Sequence, residues 1–190
     1  MPKLGMEPIR RDALVKATIA EIGARGTLDV TVARIARRAG VSPALAHHYF
    51  GGKDDILAAA MGAILRDYGT AVRAALVGAA TPDARLEAIV RASFDPPNFT
   101  PAVVSAWLNF YVQARSSDAA ARLLRIYQRR IVSNLAHALR PRLGAGAPAA
   151  AEALAALIDG VYIRQALGPR GADPVKTVMT YARALKAAAP

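Results

Sequence analysis

Residues 42–50 combine a helix-capping hydroxyl with small, apolar and imidazole side chains at spacings that suit a short helix. Ser42 can cap this helix, and Pro43 fits its first position, where no backbone donor is lost. The side chains then left free to meet a ligand are Ala44, Leu45, His47 and His48. Imidazoles can donate hydrogen bonds to acceptors on base edges, and apolar side chains can contact thymine methyl groups. These residues predict a helix that reads the major groove of DNA.

A preceding short helix and a tight turn must position this recognition helix. Thr31 can cap the first helix, in which Ile35 and the small residue Ala36 face the second. Gly40 stands where the chain must bend and where a positive φ is cheapest. Residues 31–50 are therefore predicted to form a helix-turn-helix. An ordinary helical hairpin is the alternative, although a small residue, a glycine and a capped second helix seldom coincide at these spacings.

Composition and charge limit the possible functions. The chain has 190 residues, no cysteine and a net charge of +11, so it can bury a core without disulfides and meets polyanions readily. Residues 1–60 hold nine basic and six acidic side chains, whereas residues 61–190 hold sixteen and eight. Charge alone therefore does not locate the DNA-binding surface. The absence of cysteine fits a reducing cytoplasm, which is the predicted location.

Neither a signal peptide nor a membrane span is predicted. Residues 1–12 carry three basic side chains and have no apolar core. Residues 96–114 lack charge, but they contain three prolines, two asparagines and a glutamine, which do not suit a span. A membrane is therefore not expected among the partners.

An all-α fold is predicted, because alanine and leucine are abundant and runs of alternating β-branched residues are missing. Caps and glycine or proline breaks divide the chain into about nine helices, the first with Ile9 on its buried face. The predicted ranges are 8–24, a short helix after Thr31, 42–49, 53–77, 81–94, 101–114, 118–140, 149–167 and a ninth helix after Asp173. Residues 8–68 are predicted to form the DNA-binding domain, and residues 69–190 a ligand-binding and dimerisation domain.

A helix-turn-helix at the second and third of nine helices resembles the TetR family of repressors. The matching residues are Thr31, Ile35, Ala36, Ala39, Gly40, Val41, Ser42, Tyr49, Phe50, Lys53 and Leu57. The resemblance implies that Thr31, Tyr49 and Lys53 contact phosphates. It also implies a homodimer that binds a palindromic operator in double-stranded DNA and responds to a small-molecule effector. The predicted DNA contacts are Thr31, Ser42, Pro43, Ala44, Leu45, His47, His48, Tyr49 and Lys53.

Further segments are similar to one subgroup of that family, the choline-responsive repressors of glycine-betaine synthesis. These segments are residues 1–11, 93–95, 106–108, 129–135 and 156–160. The similarity implies control of choline-to-glycine-betaine genes and release from the operator by choline. Residues 44–50 depart from the subgroup, which carries Gly-Ile-Ile-Ser-His-Tyr-Phe where this chain has Ala-Leu-Ala-His-His-Tyr-Phe. The departure leaves the operator sequence and the regulated genes open.

Aromatic side chains predict the effector site. Trp107, Phe110 and Tyr111 stand at i, i+3 and i+4 and therefore share one helix face. Aromatic faces around a carboxylate suit a quaternary ammonium, and the subgroup similarity implies that choline is this cation. The predicted ligand contacts are Phe94, Asp95, Trp107, Phe110, Tyr111 and Tyr127. The alternative is that these aromatic residues belong to an ordinary core.

The eighth helix carries Asp159 among apolar and small residues. Asp159 is expected to be a structural carboxylate that is hydrogen-bonded across helices, because an unpaired buried charge is costly. A second contact to the cation is the alternative. The small residues allow close helix approach and, with the ninth helix, predict a symmetric four-helix dimer interface. Packing within the chain is the alternative for them.

No catalytic or metal-binding group is identifiable from the sequence. His47, His48 and His137 lack a metal partner at ligand spacing and a serine–aspartate pairing. Neither an enzyme, a metal site nor a cofactor is therefore predicted, and a DNA-binding transcriptional repressor is the predicted function. One alternative is the same scaffold sensing another cationic or aromatic molecule, as a regulator of an efflux pump would. The other alternative is an architectural DNA-binding protein, but such a protein would not need the large second domain.

Overall fold

The computed structural model of the chain describes residues 5–168 and 171–187. Within those residues the chain forms nine α-helices and no strand, so the all-α prediction is confirmed. The helices are α1 (Met6–Arg25), α2 (Val32–Arg38), α3 (Pro43–Phe50), α4 (Lys53–Val77), α5 (Pro82–Phe94), α6 (Pro101–Gln113), α7 (Asp118–Leu143), α8 (Ala147–Leu167) and α9 (Pro174–Ala187). Short 3-10 turns occupy Pro96–Phe99 and Gly144–Gly146. Part of the similar segment 1–11 and the predicted domain end at 190 lie outside the described residues.

Side-chain caps begin several helices, including the two that were predicted at Thr31 and Ser42. At the starts of α2, α3, α5 and α6 a hydroxyl oxygen accepts a hydrogen bond from the backbone N–H three residues later; the capping residues are Thr31, Ser42, Thr81 and Thr100. Gly26 ends α1 with a left-handed φ of 69°, which glycine adopts without steric cost. One end differs from the prediction, since α7 continues through Pro141. Pro141 has no backbone N–H to donate, but it lies in the last turn of α7, so its presence removes little of the helical hydrogen bonding.

The chain divides into two compact units, and each unit is built from two separate segments. Unit 1 comprises Met1–Leu65 and Thr100–Leu124, and unit 2 comprises Arg66–Phe99 and Arg125–Pro190. The long helices α4 and α7 therefore contribute residues to both units. The predicted division into residues 8–68 and 69–190 stays a prediction.

In unit 1, α1 packs against α2, α3 and α6. The larger buried side chains are Leu14, Ile22, Val30, Ile35, Ile56, Ile64 and Phe110. A Cβ added to Gly23 would lie 2.4 Å from the Cβ of Ala102, so α1 and α6 approach each other at a site that only glycine fits. The side-chain amide of Asn109 also donates to the Gly26 carbonyl at 3.1 Å. These two contacts attach α6 to the C-terminal half of α1.

The N-terminal turns of α1 differ from the prediction. Ile9 was expected on the buried face, but its side chain is 58% exposed. Residues 5–9 are all exposed, and complete burial along α1 begins only at Leu14. The helical periodicity identifies the face correctly, yet it cannot indicate where along that face the neighbouring helices begin to cover it.

In unit 2, α5, α8 and α9 pack against one another. Its larger buried side chains are Leu86, Ile89, Val90, Leu135, Leu139, Leu154, Ile158 and Val178. The apolar face of α7 is buried at Tyr127, Ile131, Leu135 and Leu139. Lys186 on α9 forms an ion pair with Asp83 on α5 at 2.8 Å, and its hydrogen bond lowers the pKa of the Asp83 carboxyl. Polar and apolar contacts therefore join the last helix to the rest of unit 2.

One described stretch, Asp118–Leu167, is long and apolar enough to cross a membrane by length and composition alone. It consists of α7, the turn Gly144–Gly146 and α8, and alanine supplies many of its apolar residues. Core helices of other proteins pass the same test, so a single such stretch carries little weight. Only 28% of its most apolar window is buried within the chain, which leaves an apolar surface uncovered.

Candidate functional site

The helix-turn-helix has the local geometry that its sequence predicts. Thr31 Oγ1 accepts a hydrogen bond from the Arg34 N–H at 3.3 Å, and Ser42 Oγ accepts one from the Leu45 N–H at 3.2 Å. Gly40 lies between the two helices with a φ of 68°, in the left-handed region that favours glycine. The turn therefore fixes α3 relative to α2 through backbone conformation and capping.

The exposed face of α3 carries most of the predicted base contacts. Ala46 is buried, whereas Pro43, Ala44, His47 and His48 are exposed. Leu45 and Tyr49 are half-buried, so only part of each side chain is available to a partner. The structure thus brings the predicted residues together on one surface, and their contact with DNA stays a prediction.

Among the predicted phosphate contacts, Lys53 is exposed. It is the first residue of α4, its side chain is 43% exposed, and its Nζ lies 3.9 Å from Oδ1 of Asp29. Asp29 is itself 87% exposed, and such surface pairs contribute little to stability. A phosphate could therefore replace Asp29 as the partner of Lys53 at little cost.

Arg11 on α1 holds the C-terminal end of α3, a contact that sequence reasoning missed. Its Nη1 donates a hydrogen bond to the Tyr49 carbonyl, and its guanidinium lies 4.6 Å from the centroid of the Phe50 ring. A cation is favourable both at a helix C-terminus and over an aromatic face. The two residues are 38 positions apart in the chain, so no local sequence pattern indicates the contact.

A buried carboxylate joins α1 to α2. Glu21 is only 5% exposed, and it accepts hydrogen bonds from Nε of Arg38 at 2.6 Å and from Nε of Arg34 at 3.3 Å. The hydrogen bond from Arg38 holds the pKa of Glu21 below its usual value, although burial acts in the opposite direction. Both arginine side chains keep nearly half of their surface exposed. They therefore compensate a buried charge while remaining at the surface of the motif.

The aromatic residues of α6 share one face, as predicted. The Trp107 ring lies 6.0 Å from the Phe110 ring and 5.9 Å from the Tyr111 ring, measured between centroids. Trp107 is 7% exposed, and Phe110 is 2% exposed and belongs to the core of unit 1. This burial favours a packing role for Phe110, whereas Tyr111 is half-buried. Ligand contact by these three residues stays a prediction.

A second aromatic cluster lies in unit 2 around Tyr127. Its hydroxyl donates to Oδ1 of Asp159 at 2.7 Å, so the expected hydrogen bond between α7 and α8 is present. The Tyr127 ring lies 5.9 Å from the ring of Tyr68, whose hydroxyl is 3.0 Å from Ser93 Oγ. Burial, together with the negative charge of Asp159, raises the pKa of Tyr68 to about 12. Tyr68 was not among the predicted contacts, because nothing near it in the sequence marks it.

The remaining predicted ligand residues, Phe94 and Asp95, lie at the end of α5 in unit 2. Phe94 is half-buried and Asp95 is exposed. Asp159 also lines a groove of about 530 Å³ between α7 and α8, together with Arg125, Arg129 and Glu152. This volume falls within the range of about 300–1,000 Å³ that small-molecule sites occupy. Among the described residues, no group of three or more metal-ligating side chains is placed to hold an ion.

Comparison with known families identifies both halves of the chain. Residues 14–60 match the family of bacterial regulatory proteins called TetR, and residues 82–190 match the description "BetI-type transcriptional repressor, C-terminal". The chain belongs to the TetR family. Its C-terminal domain is of the BetI type, so the resemblance drawn from the sequence is confirmed.

Known relatives of this TetR-family chain cover almost its whole length. The HTH-type transcriptional regulator BetI of Brucella melitensis biotype 2 is 51% identical over 179 residues, which are 94% of this chain and 90% of that protein. BetI of Rhizobium meliloti is 52% identical over 168 residues, 88% of this chain and 83% of that protein. The chain is therefore a transcriptional regulator of a DNA-binding repressor family.

Solved structures agree on the TetR fold. A protein of Pseudomonas aeruginosa PAO1 described as a transcriptional regulator superposes with a TM-score of 0.86 at 29% identity, over 98% of this chain and 94% of that one. A regulator from Saccharomonospora viridis, solved in complex with choline, has a TM-score of 0.76 at 23% identity, over 94% and 95% of the two chains. At that identity the second likeness concerns the fold.

The buried carboxylate generates a prediction about stability and pH. Replacing Glu21 by Gln should lower the free energy of unfolding at pH 7 by about 1–3 kcal/mol, because charge-assisted hydrogen bonds to both arginines are lost. The folded-state pKa is lowered from the ordinary 4.5. The carboxylate's contribution is therefore complete above pH 4.5 and is lost as the pH falls through the folded pKa. Urea unfolding should show the two proteins converging in acid.

Glu7 provides a matched control on the same helix. Its carboxylate lies 3.5 Å from Arg11, but its side chain is 61% exposed, so Glu7→Gln should change stability by less than about 0.5 kcal/mol. If Glu21→Gln lowered the free energy of unfolding at pH 7 no more than Glu7→Gln does, the buried carboxylate would not stabilise the motif.

Proposed function

We propose that the chain is a homodimeric repressor of the genes that convert choline to glycine betaine, and that choline releases it from a palindromic operator. The observation that carries this proposal is the 51% identity with BetI of Brucella melitensis over 94% of the chain, because it includes both the DNA-binding and the C-terminal segment. The choline complex of the Saccharomonospora viridis regulator, which shares the fold, supports the choice of effector.

At the DNA end, α3 would enter the major groove while side chains around it hold the phosphates. The exposed residues of α3 form a compact surface, and Lys53 stands at the adjoining N-terminus of α4. The free backbone N–H groups there also suit an anion. Phosphate contacts would position the helix, and α3 side chains would select the sequence.

The first functional prediction concerns Lys53. Lys53→Ala should weaken binding to all DNA sequences and lower the slope of log affinity against log salt by about one unit, as one lost phosphate contact requires. Fluorescence anisotropy across a salt series measures both quantities. Arg122→Ala, which removes one positive charge from an exposed position on α7, should leave the slope unchanged. An unchanged slope for Lys53→Ala would refute the proposed docking.

The dimer is proposed to form through α8 and α9. One face of α8 presents small residues at helical spacing, and all of them are exposed within the chain; they are Ala149, Ala153, Ala156 and Gly160. Such residues let two helices approach closely across a two-fold axis. The uncovered apolar surface of this stretch supports the same assignment.

Gly160 allows the dimer to be tested without disturbing the protomer. A Cβ at this position would meet no atom of the chain within 4 Å, so Gly160→Leu should fold normally. Across a symmetric contact it would be overpacked, at a cost of about 1–3 kcal/mol. Sedimentation velocity should show weaker dimerisation than for Ala74→Leu, an exposed position on α4. A monomeric wild-type protein at micromolar concentration would contradict the proposal.

At the effector end, aromatic rings and a carboxylate supply the chemistry that a quaternary ammonium requires. In unit 2 these are the rings of Tyr68 and Tyr127 and the carboxylate of Asp159. Asp159 and Glu152 line a groove together with Arg125 and Arg129, whose positive charges offset the two carboxylates. The proposal therefore depends on direct contact of the cation with the rings and with Asp159, and not on a net negative charge of the groove. Phe94, Asp95 and the α6 residues Trp107, Phe110 and Tyr111 remain proposed contacts.

The effector prediction separates the ring of Tyr127 from its hydroxyl. Tyr127→Phe keeps the aromatic face and should change choline affinity only modestly. Tyr127→Leu removes that face and should weaken choline by about an order of magnitude, since one cation–π contact contributes about 0.5–2 kcal/mol. Choline titrations followed by Trp107 fluorescence and by operator release measure both variants, and operator affinity without choline verifies that they fold.

The charge of the effector provides the control. Dimethylbutanol, in which carbon replaces the quaternary nitrogen, has nearly the shape of choline but no cation for the aromatic faces to attract. It should release the operator poorly. Equal responses to choline and to dimethylbutanol would exclude an aromatic cage for a cation and would favour the alternative, a regulator that senses other small molecules.

A further inference from the structure

The imidazole of His47 is hydrogen-bonded to the turn that follows α3. Its Nδ1 lies 3.0 Å from the carbonyl oxygen of Gly51, although the side chain is exposed. A carbonyl oxygen can only accept a hydrogen bond, so Nδ1 must carry the proton. In the neutral ring, Nε2 then has a free lone pair and can only accept.

The backbone after α3 is shaped to make this contact. Gly51 has a φ of 76°, and its N–H donates to the His47 carbonyl at 2.7 Å. A Cβ at Gly51 would lie 3.2 Å from Oδ2 of Asp55, so both the conformation and the space favour glycine. His47 and Gly51 are therefore joined twice, once through the backbone and once through the ring, before any DNA is bound.

An acceptor on the recognition helix needs a donor in the major groove. Cytosine presents its N4 amino group there and adenine its N6 amino group, whereas guanine and thymine present acceptors. We propose that His47 determines operator specificity by accepting, at Nε2, a hydrogen bond from the exocyclic amino group of a cytosine or an adenine. The direction is opposite to the one expected from the sequence, in which the imidazole donates. The proposal rests on the proposed function, because it requires an operator.

The test deletes single atoms from the DNA. The wild-type protein first selects its operator from random duplexes. Each adenine is then replaced by purine, which lacks the N6 amino group, and each cytosine by pyrimidin-2-one, which lacks the N4 amino group, in both half-sites together. Dissociation constants are measured at pH 8, where a free imidazole is neutral. The base type that responds identifies which of the two amino groups is bound.

At one position, deletion of the amino group should lower the operator affinity of the wild-type protein about tenfold, as the loss of one hydrogen bond in each half-site would. The same deletion should change the affinity of His47→Ala by less than about twofold. His48→Ala, which alters the neighbouring exposed imidazole on α3, should retain the full loss. Circular dichroism shows whether both variants keep their helices.

Two results would overturn the proposal while leaving the repressor function intact. In one, every amino deletion that lowers the affinity of the wild-type protein lowers the affinity of His47→Ala equally, which would mean that His47 accepts a hydrogen bond from no base. In the other, 7-deazaguanine or 7-deazaadenine, which lack the N7 acceptor, lowers the affinity of the wild-type protein but not that of His47→Ala. That result would mean that His47 donates a hydrogen bond to the base. If the wild-type protein enriched no sequence at all, the operator itself would be absent, and both proposals would fail by a result that differs from the first two.

Discussion

The placement of the recognition helix depends on α1, and above all on the buried carboxylate of Glu21. A charge with so little contact with water must be matched by partners in fixed positions, and Arg34 and Arg38 of α2 supply them. Arg11, three turns earlier on α1, holds the far end of α3 through the Tyr49 carbonyl. One helix therefore fixes both halves of the motif, α2 by charge and α3 by a hydrogen bond and an aromatic face.

The same helix also carries α6. The contact of Gly23 with Ala102 leaves no space between the two backbones, and Asn109 hydrogen-bonds to the end of α1. Packed contacts of this kind do not deform gradually, so a shift of α6 must be met by a shift of α1 or by loss of the contact. In unit 1, Trp107 thus lies on α6, which packs tightly against α1, and α1 in turn positions α3. A ligand can change DNA binding only if it binds one arrangement of these helices more tightly than another.

Local interactions were predictable from the sequence, and long-range ones were not. The caps at Thr31 and Ser42 and the turn at Gly40 involve residues within a few positions of one another, so their types and spacing suffice. The partners of Arg11 and Asp159 lie 38 and 32 positions away. Which basic or acidic residue meets which partner depends on helix packing, and periodicity does not contain that information. Tyr68 was missed for this reason, and the exposure of Ile9 could not be foreseen.

The departure of α3 from its subgroup reaches from the core to the surface, since Ala46 is buried, Leu45 is half-buried, and Ala44 and His47 are exposed. The position of α3 is set at its start by the Ser42 cap and at its end by the hydrogen bond from Arg11, both outside the departing residues 44–47. His47 occupies the position at which the subgroup pattern has serine, a side chain whose hydroxyl can both donate and accept. An imidazole held by the Gly51 carbonyl offers one acceptor in a fixed direction. Because its ring is oriented before binding, less side-chain freedom is lost on contact with DNA. A serine and an imidazole held by Gly51 at this position would therefore favour different base edges.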